Sequence, residues 1–386
     1  MNKILYVGGL AFPFGLAQVQ RQLVMSKMLI QAGYDIKVLC RYGSYTDGKS
    51  QKKYRVIGNY EGVNYEYCSG KAIRSKSFIL RNLLKIKGAV KEIYYIISFG
   101  KKKELAAVII STSYFYNVVF YWIACRLGRV QIILDNVEYF SFNRDRAGLN
   151  KLDAYLYDHY FFLFVDKVIC ISEFLVMKAE QRMPKTKVLK VPSITDFGKF
   201  DNQKEGLISD AYLLYCGSID YFDIIDFVIS SYELSQSNLV LYLITQCNDQ
   251  LYLRIQNSPK KDKIKIFTDL PYQKLVTLYT HCSGFIIPLR PNIDDKARFP
   301  HKISEFCAAS RPFISNKFGE VGVYFKDGIN AYLCDEFRVE EFAKKIFELG
   351  SDKERSNMIG HNAYLLGSKY FSHREYVDKI KEIIEL

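Results

Sequence analysis

The sequence predicts an α/β protein made of two tandem Rossmann-like domains, each with a doubly wound parallel sheet. The chain has 386 residues, more than one hydrophobic core usually fills, so two domains are expected. Strand-length apolar runs alternate with helical patterns in both halves, as they do in parallel sheets with crossover helices. Residues 191–207, VPSITDFGKFDNQKEGL, interrupt this alternation with proline, glycine and charge, and are typical of a linker.

The first half opens with a βαβ pattern. Residues 3–8, KILYVG, form a continuous apolar strand, and a loop marked by glycine and proline leads into a helix at 16–32. Gly33 ends this helix and DIKVLC, residues 35–40, is the next strand. Further strands with helical patterns between them are predicted at 106–111, 130–135 and 166–172.

The second half repeats the alternation without a visible sequence repeat. Strands are predicted at 212–218, 238–245, 263–269, 284–290, 311–315 and 330–334, with a helix at 273–282 and a closing helical region from about 338. Ligands of doubly wound sheets bind outside the carboxyl ends of the strands. We expect those ends to face each other across a cleft in a protein of two such domains.

Cysteine usage indicates a reducing compartment. The nine cysteines are scattered singly and none forms a Cys-x-x-Cys pair, so reduced, buried thiols of a cytoplasmic protein are expected. With five dispersed histidines a structural zinc site is not expected. No secretory signal and no apolar run long enough to cross a bilayer is visible in the sequence.

The stretch FPHKISEFCAASRPFIS combines a buried helix pattern with two charges, Lys302 and Glu305. A helix beginning near His301 would direct backbone N–H groups and its positive dipole end toward the cleft. Lys302, Arg290 and Arg298 would reinforce an anion site there, and Glu305 could accept hydrogen bonds from a ribose diol. A nucleotide diphosphate suits this combination. The alternative is that Lys302 and Glu305 form a solvated helix edge.

The segment HKISEFCAASRPFISNKFGEVGVYFKDGINAYLC resembles the C-terminal signature of glycosyltransferase family 4, which has the GT-B fold. YLLYCGSIDYFDIIDFVISSYEL resembles the start of the family's donor domain, and FSHREYVDKIKEII resembles its final helix, which returns to the N-terminal domain. The resemblance implies an acceptor-binding domain at 1–195, a nucleotide-sugar-binding domain at 196–370, and a returning helix at 371–386.

The resemblance also implies roles for residues at matching positions. Glu305 matches the second glutamate of the family's Glu–seven residues–Glu motif, which contacts the nucleotide ribose. Ala297 stands where the first glutamate is expected, and the basic residues that usually follow Gly217 are absent. A sub-group of the family keeps only the lysine and the later glutamate, and this sequence resembles that sub-group most. The implied catalytic residues are Glu305, Lys302 and Arg290, and the implied donor-binding residues are Gly217, Ser218, Arg298, His301 and Ile303.

An acceptor site is predicted in the first domain. Gly8-Gly9 and Gly15 bracket the loop before the first helix, where backbone without a Cβ atom can approach a ligand. A plain βα turn is the alternative. Asp135 and Glu138 follow a strand and could orient an acceptor hydroxyl, or they could cap the next element.

Retaining enzymes of this family are thought to use front-face attack, in which a donor phosphate oxygen accepts the proton of the acceptor. The protein then supplies positioning and charge stabilisation, which is consistent with a sequence lacking a Ser–His–Asp arrangement. We expect no cofactor and no metal ion. Asp294-Asp295 is the one acidic pair considered for a metal, and no Asp-x-Asp follows a strand.

Positive charge is concentrated in the first half of the chain. The net charge is +13; residues 1–200 contain 31 Lys and Arg against 15 Asp and Glu, and residues 71–103 contain ten against one. Apolar residues recur there at helical spacing, at Ile79, Leu83, Ile86, Val90, Ile93 and Ile97. This pattern predicts either a helix packed on the core with a solvated basic edge, or contact with an anionic lipid surface. Nucleic acid is not expected as a partner, since no recognised module is present.

The sequence thus predicts a glycosyltransferase that moves a sugar, with retention, from a UDP- or GDP-sugar to a glycan or lipid-linked acceptor in cell-surface polysaccharide synthesis. We expect it in the cytoplasm, associated through residues 71–103 with the inner face of the membrane. One alternative is a catalytically degenerate scaffold that binds sugar or nucleotide. The other is a nucleotide-sugar epimerase of the same fold, which would need more cleft acids and histidines than this sequence has.

Overall fold

The computed structural model describes residues 2–9, 11–15, 17–45, 55–140, 148–201 and 211–386. The chain forms two compact units. The first contains Met1–Ile194 together with His373–Leu386, and the second contains Thr195–Ser372. Each unit has a mainly parallel sheet with helices between its strands, which confirms the predicted α/β class. Residues 202–207 of the predicted linker lie outside the described part of the chain.

The first unit has an eight-stranded sheet with helices in the crossovers. Its strands are β1 (Lys3–Val7), β2 (Asp35–Cys40), β3 (Ile57–Tyr60), β4 (Val63–Tyr67), β5 (Leu105–Ile110), β6 (Ile132–Asn136), β7 (Lys167–Cys170) and β8 (Val188–Lys190). Its first five helices are α1 (Ala17–Gln31), α2 (Phe78–Lys101), α3 (Phe115–Gly128), α4 (Leu149–Tyr160) and α5 (Glu173–Glu180).

The strand order of the first sheet is β3-β4-β2-β1-β5-β6-β7-β8. All neighbours pair in parallel except β3 and β4. Those two strands form an antiparallel edge hairpin whose two-residue loop, Glu61-Gly62, has positive φ at both positions, as a tight hairpin turn requires. The central strands are mostly apolar because both faces of the sheet are covered.

The second unit has a six-stranded sheet in the order β11-β10-β9-β12-β13-β14, with every neighbour parallel. Its strands are β9 (Tyr212–Cys216), β10 (Val240–Ile244), β11 (Ile264–Phe267), β12 (Gly284–Ile286), β13 (Phe313–Asn316) and β14 (Tyr332–Cys334). Its helices are α6 (Phe222–Leu234), α7 (Asp249–Gln256), α8 (Tyr272–His281), α9 (Ile293–Ala297), α10 (His301–Ala308), α11 (Gly319–Tyr324), α12 (Val339–Ser351) and α13 (Lys353–Tyr370).

The end of the chain packs on the first unit. Helix α14 (Val377–Glu385) contacts α1, β5 and β8. Its residues Ile380, Ile383 and Ile384 are buried in the same core cluster as Ile4 of β1. Residues 373–386 therefore complete the apolar core of the unit that contains the start of the chain.

All nine cysteines are free, and seven of them are buried. Cys216 is half-buried and Cys247 is exposed. In the described ranges, no helix combines the length and the apolar character needed to cross a bilayer.

Candidate functional site

The carboxyl ends of β9 and β12 define the candidate site. The chain moves outward from β9 through β10 to β11, then returns to place β12 on the other side of β9. The connections on either side of β9 therefore run in opposite directions, which opens a crevice at the strand ends. The loop after β9, the loop after β12 and the start of α10 lie around this crevice.

Lys302 and Glu305 form an ion pair in the first turn of α10. Lys302 Nζ lies 3.2 Å from Glu305 Oε2, and the hydroxyl of Tyr272 donates to Glu305 Oε1 at 3.1 Å. His301 Nε2 is 3.8 Å from the same Oε1 atom. The Glu305 side chain is only 1% exposed, whereas that of Lys302 is 27% exposed. The pair is thus not a solvated helix edge, because Glu305 is buried and its carboxylate contacts three side chains.

The two partners keep each other charged. Burial by itself raises the pKa of Glu305, but the charges of Lys302 and His301 and the hydrogen bonds from Lys302 and Tyr272 outweigh it and leave that pKa below its ordinary value. Burial by itself lowers the pKa of Lys302, but Cys216 and Glu305 outweigh it and raise that pKa above its ordinary value. An ammonium and a carboxylate therefore stand side by side at the end of β9.

Arg290 and Arg298 share one buried carboxylate. Asp295, whose side chain is 7% exposed, accepts hydrogen bonds from the backbone N, Nε and Nη2 of Arg290. It also accepts from Nε and Nη2 of Arg298, the latter at 2.6 Å. Burial by itself raises the pKa of Asp295, but the two guanidinium groups outweigh it and hold this pKa below its ordinary value. Asp295 thus fixes both arginines in the loop between β12 and α10.

The loop after β9 contacts both arginines. The ring centroid of Tyr221 lies 5.2 Å from the Arg290 guanidinium and 5.3 Å from that of Arg298. Arg298 also donates to the Tyr221 hydroxyl at 2.9 Å. Asp223, which is 59% exposed on its side chain, pairs with Arg290 Nη1 at 3.2 Å. Both arginines predicted to neutralise phosphate are therefore present at the crevice, each already paired with a carboxylate or a phenol.

The remaining predicted donor residues lie on the same edge. Ser218 caps the short turn after β9, accepting from the backbone N–H of Asp220 and donating to its carboxylate. Gly217 is half-buried, and a Cβ atom there would lie 2.4 Å from the Tyr215 hydroxyl. Ile303 is fully buried and its backbone N–H is bonded to the carbonyl of Pro300. Ile303 therefore presents no side chain to the crevice and serves the packing of α10.

The glycine loop predicted for the first unit follows β1. Gly8 has a φ of 86°, and a Cβ atom there would lie 2.5 Å from the carbonyl oxygen of Ser111. Only glycine fits this approach of the loop to the end of β5. Gly15 is exposed two positions before the first residue of α1. The first of these glycines is thus explained by packing, while Gly15 stays a predicted acceptor contact.

Asp135 and Glu138, the acids predicted to face an acceptor, lie in different surroundings. Asp135 is 2% exposed; both of its oxygens accept from Arg21, one of them at 2.8 Å, and Oδ2 also accepts from the Tyr6 hydroxyl at 2.7 Å. This geometry favours a structural role for Asp135. Glu138 is exposed, and its role toward an acceptor stays a prediction.

Several residues at the crevice were missed by the sequence analysis. Asp295 was considered only as half of an acidic pair for a metal, and Tyr221, Tyr272 and Asp223 were not assigned any role. Tyr272 is separated from Glu305 by 33 positions, so no local pattern connects the two. A signal was available for Asp295 alone, because it lies three residues before Arg298, a spacing at which opposite charges pair locally.

The described residues contain no group of three or more His, Cys, Asp or Glu side chains arranged to hold a metal ion. Asp295, one of the two acids considered for such a site, is engaged by two arginines. Metal independence stays a prediction for this chain.

Known proteins resemble this chain in sequence and in fold. Residues 199–366 match the family of glycosyl transferases group 1. An uncharacterized glycosyltransferase of Methanocaldococcus jannaschii is 22% identical over 236 residues; the match covers 58% of this chain and 62% of the relative. The matched part thus spans less than two thirds of that relative.

Solved structures share the fold over the whole chain. Sucrose-phosphate synthase from Thermosynechococcus elongatus has a TM-score of 0.75 at 13% identity, covering 100% of this chain and 98% of the other. Anabaena HepE in complex with UDP and glucose has a TM-score of 0.69 at 12% identity, covering 100% of both chains. The fold is therefore GT-B. The match of residues 199–366 to the group 1 glycosyl transferases confirms the resemblance predicted from the sequence.

Proposed function

We propose that this protein transfers a sugar, with retention, from a nucleotide-sugar donor to a glycan or lipid-linked acceptor. The observation that carries the proposal is the Lys302–Glu305 pair at the start of α10, within the segment matched by the group 1 family. A buried carboxylate beside a partly exposed ammonium, at the crevice between β9 and β12, suits a ribose and the diphosphate attached to it.

The role proposed for Glu305 follows from its surroundings. It is fixed by Tyr272 and Lys302 and stays ionised, so it can accept hydrogen bonds from both hydroxyls of a ribose. Glu305 thereby selects a nucleoside and orients its diphosphate toward the start of α10.

The leaving diphosphate is stabilised by cations at the crevice. Lys302 remains protonated because its pKa is raised, and the first N–H groups of α10 add partial positive charge. Arg290 can also take part, because its partner Asp223 is 59% exposed and exchanges easily for a phosphate. Asp295 stays in place, since it is buried. During transfer, negative charge develops on the leaving diphosphate, close to Lys302 and Arg290. Stabilising this developing charge accelerates the transfer.

The nucleotide base of the donor and the retaining mechanism are proposed on different grounds. HepE was solved with UDP and glucose, which favours a uridine diphosphate donor, and a GDP-sugar is the other candidate. Retention through front-face attack uses the donor's own phosphate oxygen to accept the acceptor proton, so the protein supplies position and charge instead of a dedicated base.

A binding screen followed by a transfer assay tests the proposal. Thermal unfolding is measured with UDP, GDP, ADP and CMP, and the nucleotide sugars of the base that stabilises the chain are then incubated with glycan and lipid-linked acceptors. Release of free nucleotide together with a labelled acceptor product supports the proposal. If no nucleotide raises the unfolding temperature, the site assignment is wrong.

The alternative of a degenerate scaffold predicts a different outcome of the same assay. Ala297, which replaces the first glutamate of the motif, is fully buried and offers no contact to a sugar. If nucleotide sugars stabilise the chain but none is consumed with any acceptor, the protein binds without transferring. A change in the configuration of the donor sugar, without transfer, would instead indicate an epimerase.

A further inference from the structure

The apolar stripe of α2 faces solvent. Ile79, Leu83, Ile86 and Val90 recur at steps of four, three and four, which places them on one face of the helix. Their exposed fractions are 72%, 57%, 62% and 61%. A helix of a soluble protein normally turns such a stripe toward the core. In α2 it is turned outward, which excludes the core-packed alternative considered from the sequence for this part of the helix.

The opposite face of α2 is the face that packs, and its buried residues are Gly88, Glu92, Ile96 and Gly100. A Cβ atom at Gly88 would lie 1.8 Å from the carbonyl oxygen of Arg41, and one at Gly100 would lie 2.3 Å from that of Gly128. Glu92 is fully buried between them and accepts hydrogen bonds from Arg41 Nε at 2.7 Å and from the Tyr121 hydroxyl at 3.0 Å. Two close backbone contacts and a buried ion pair therefore fix the rotation of the helix, with its apolar stripe outward.

Charge around the stripe has one sign. Residues 71–103 contain ten Lys and Arg but a single acid, Glu92, which is buried and paired with Arg41. Every exposed ionised side chain in this segment is consequently a cation. Lys71, Arg74 and Lys76 are exposed just before the helix, and Lys87 is exposed beside the stripe.

Aromatic side chains lie near both ends of the stripe. Phe78 is 69% exposed at the first residue of α2, and Tyr94 is 64% exposed sixteen positions later, roughly 24 Å along the helix axis. Aromatic rings are enriched where protein meets the headgroup region of a bilayer. Single exposed apolar residues are common on protein surfaces, but a contiguous apolar face of this length is not. Such faces mark interaction sites.

We propose that this face of α2 docks the protein on an anionic lipid bilayer, with the helix lying in the plane of the surface. Apolar side chains enter the boundary between headgroups and acyl chains, and the cations beside them contact anionic headgroups. A second copy of the chain fits less well, because a symmetric contact between two such faces would bring exposed cations of one copy, such as Lys87, close to those of the other. The inference goes beyond the proposed function and does not depend on it, since docking requires no nucleotide.

Vesicle flotation of the full chain without nucleotide tests the proposal. One set of vesicles is phosphatidylcholine alone, and the other contains about 30% phosphatidylglycerol, a fraction that gives a negative surface potential. The wild-type chain is expected to float with the anionic vesicles and to be released by about 0.5 M salt, which screens the headgroup charge. Flotation with the neutral vesicles is expected to be weaker.

Two matched pairs of variants separate the face of α2 from general effects. Leu83→Asp is compared with Leu253→Asp in α7, since these leucines are 57% and 58% exposed. Lys87→Glu is compared with Lys344→Glu in α12, since both lysines are exposed and both changes alter the net charge equally. We expect partitioning to fall at least about tenfold for Leu83→Asp and at least about fivefold for Lys87→Glu, with the two controls unchanged.

The measurement can also overturn the proposal. Circular dichroism first establishes that each variant is folded. Equal flotation of Leu83→Asp and Leu253→Asp would show that the stripe does not enter the bilayer. A wild-type chain that ignores anionic vesicles but forms a dimer by light scattering, broken by Leu83→Asp, would assign the face to a second copy instead.

Discussion

Replacing Glu305 by glutamine is the sharpest test of the candidate donor site. Glutamine keeps the size of the side chain and a carbonyl oxygen, so it removes the charge while leaving the packing of a fully buried position. Hydrogen bonds to charged groups contribute about 1.5–3 kcal/mol and neutral ones about 0.5–1.5 kcal/mol. The substitution should therefore weaken nucleotide binding by about 1–1.4 kcal/mol, or roughly 5- to 10-fold in Kd.

The expected rise in Kd can also be expressed as a loss of the stability that UDP binding adds to the folded chain. At a UDP concentration of about 100 times the wild-type Kd, binding stabilises the folded chain by about 2.7 kcal/mol. A Kd raised roughly 5- to 10-fold lowers this to about 1.4–1.8 kcal/mol. Isothermal titration calorimetry with UDP gives the Kd directly, and thermal unfolding with and without UDP gives the stabilisation of each variant relative to its own ligand-free state.

Glu233→Gln provides the control. Glu233 is also a partly buried, ion-paired glutamate of the second unit, bound to Arg254 at 2.7 Å. It lies near the end of α6, ten positions after Asp223 and so roughly 15 Å along the helix from the crevice. Its substitution should leave the Kd for UDP within about twofold of wild type. A folded Glu305→Gln chain with a Kd equally close to wild type would refute the assignment of Glu305 to the ribose.

Three further substitutions test the ion pairs and close contacts of the two units. Asp295→Asn should destabilise the second unit by about 3 kcal/mol, because two guanidinium groups lose their buried carboxylate; urea unfolding followed by circular dichroism measures this. Asp135→Asn should destabilise the first unit by a similar amount, roughly 3 kcal/mol, since Arg21 is 6% exposed and would lose its partner. Gly88→Ala should destabilise the first unit by at least about 2 kcal/mol despite the better helix propensity of alanine, because the added methyl meets the Arg41 carbonyl at 1.8 Å.

The single tryptophan of the chain allows the units to be followed separately. Trp122 lies in α3 of the first unit, against Phe164, so its fluorescence reports unfolding there. Gly322→Ala, where the nearest atom to an added Cβ is 3.6 Å away, is the tolerated counterpart of Gly88→Ala. Equal unfolding midpoints for these two alanine variants and wild type would contradict the close packing of α2. An Asp135→Asn chain with unchanged fluorescence midpoint would contradict a structural role for Asp135.

The effect of Asp295→Asn should depend on pH. The pKa of Asp295 is lowered in the folded state, so its contribution to stability is present above the unfolded pKa of about 3.9. It is lost as the pH falls through the still lower folded pKa. Wild type and Asp295→Asn should therefore differ most above roughly pH 5 and converge in more acidic urea titrations. A difference that grows on acidification would contradict the assigned ion pair.

The sequence predicted the central strands well because most of their residues are buried and apolar. The strand predicted at residues 35–40 coincides with β2. The hairpin of β3 and β4 was missed because β3, IGNY, is a short edge strand that alternates in exposure and has no apolar run. Its turn, Glu61-Gly62, is also a weaker signal than Asn-Gly or Asp-Gly.

The candidate site was predictable only where charge interrupted an apolar pattern. Lys302 and Glu305 stood out in a buried helix, three positions apart and so on one face. For Arg290 and Arg298, only the partner Asp295 was predictable, because it lies between them in the sequence. Tyr221 comes from the loop after β9, which the sheet topology brings to the two arginines. The rotation of α2 was also beyond the sequence, since periodicity identifies an apolar face but not which side of the helix packs closely.

The position of α14 has a consequence for synthesis of the chain. The first unit buries Ile380, Ile383 and Ile384 in its core, yet the residues of the second unit are translated before them. At roughly 5–20 residues per second, the ribosome needs about 10–40 s to pass from Ile194 to Ile384. During that interval the apolar groove that receives α14 stays open, while the second unit, contiguous in sequence, has everything it needs to fold. Nascent chains of this protein should accordingly be captured by chaperones through the part that was made first.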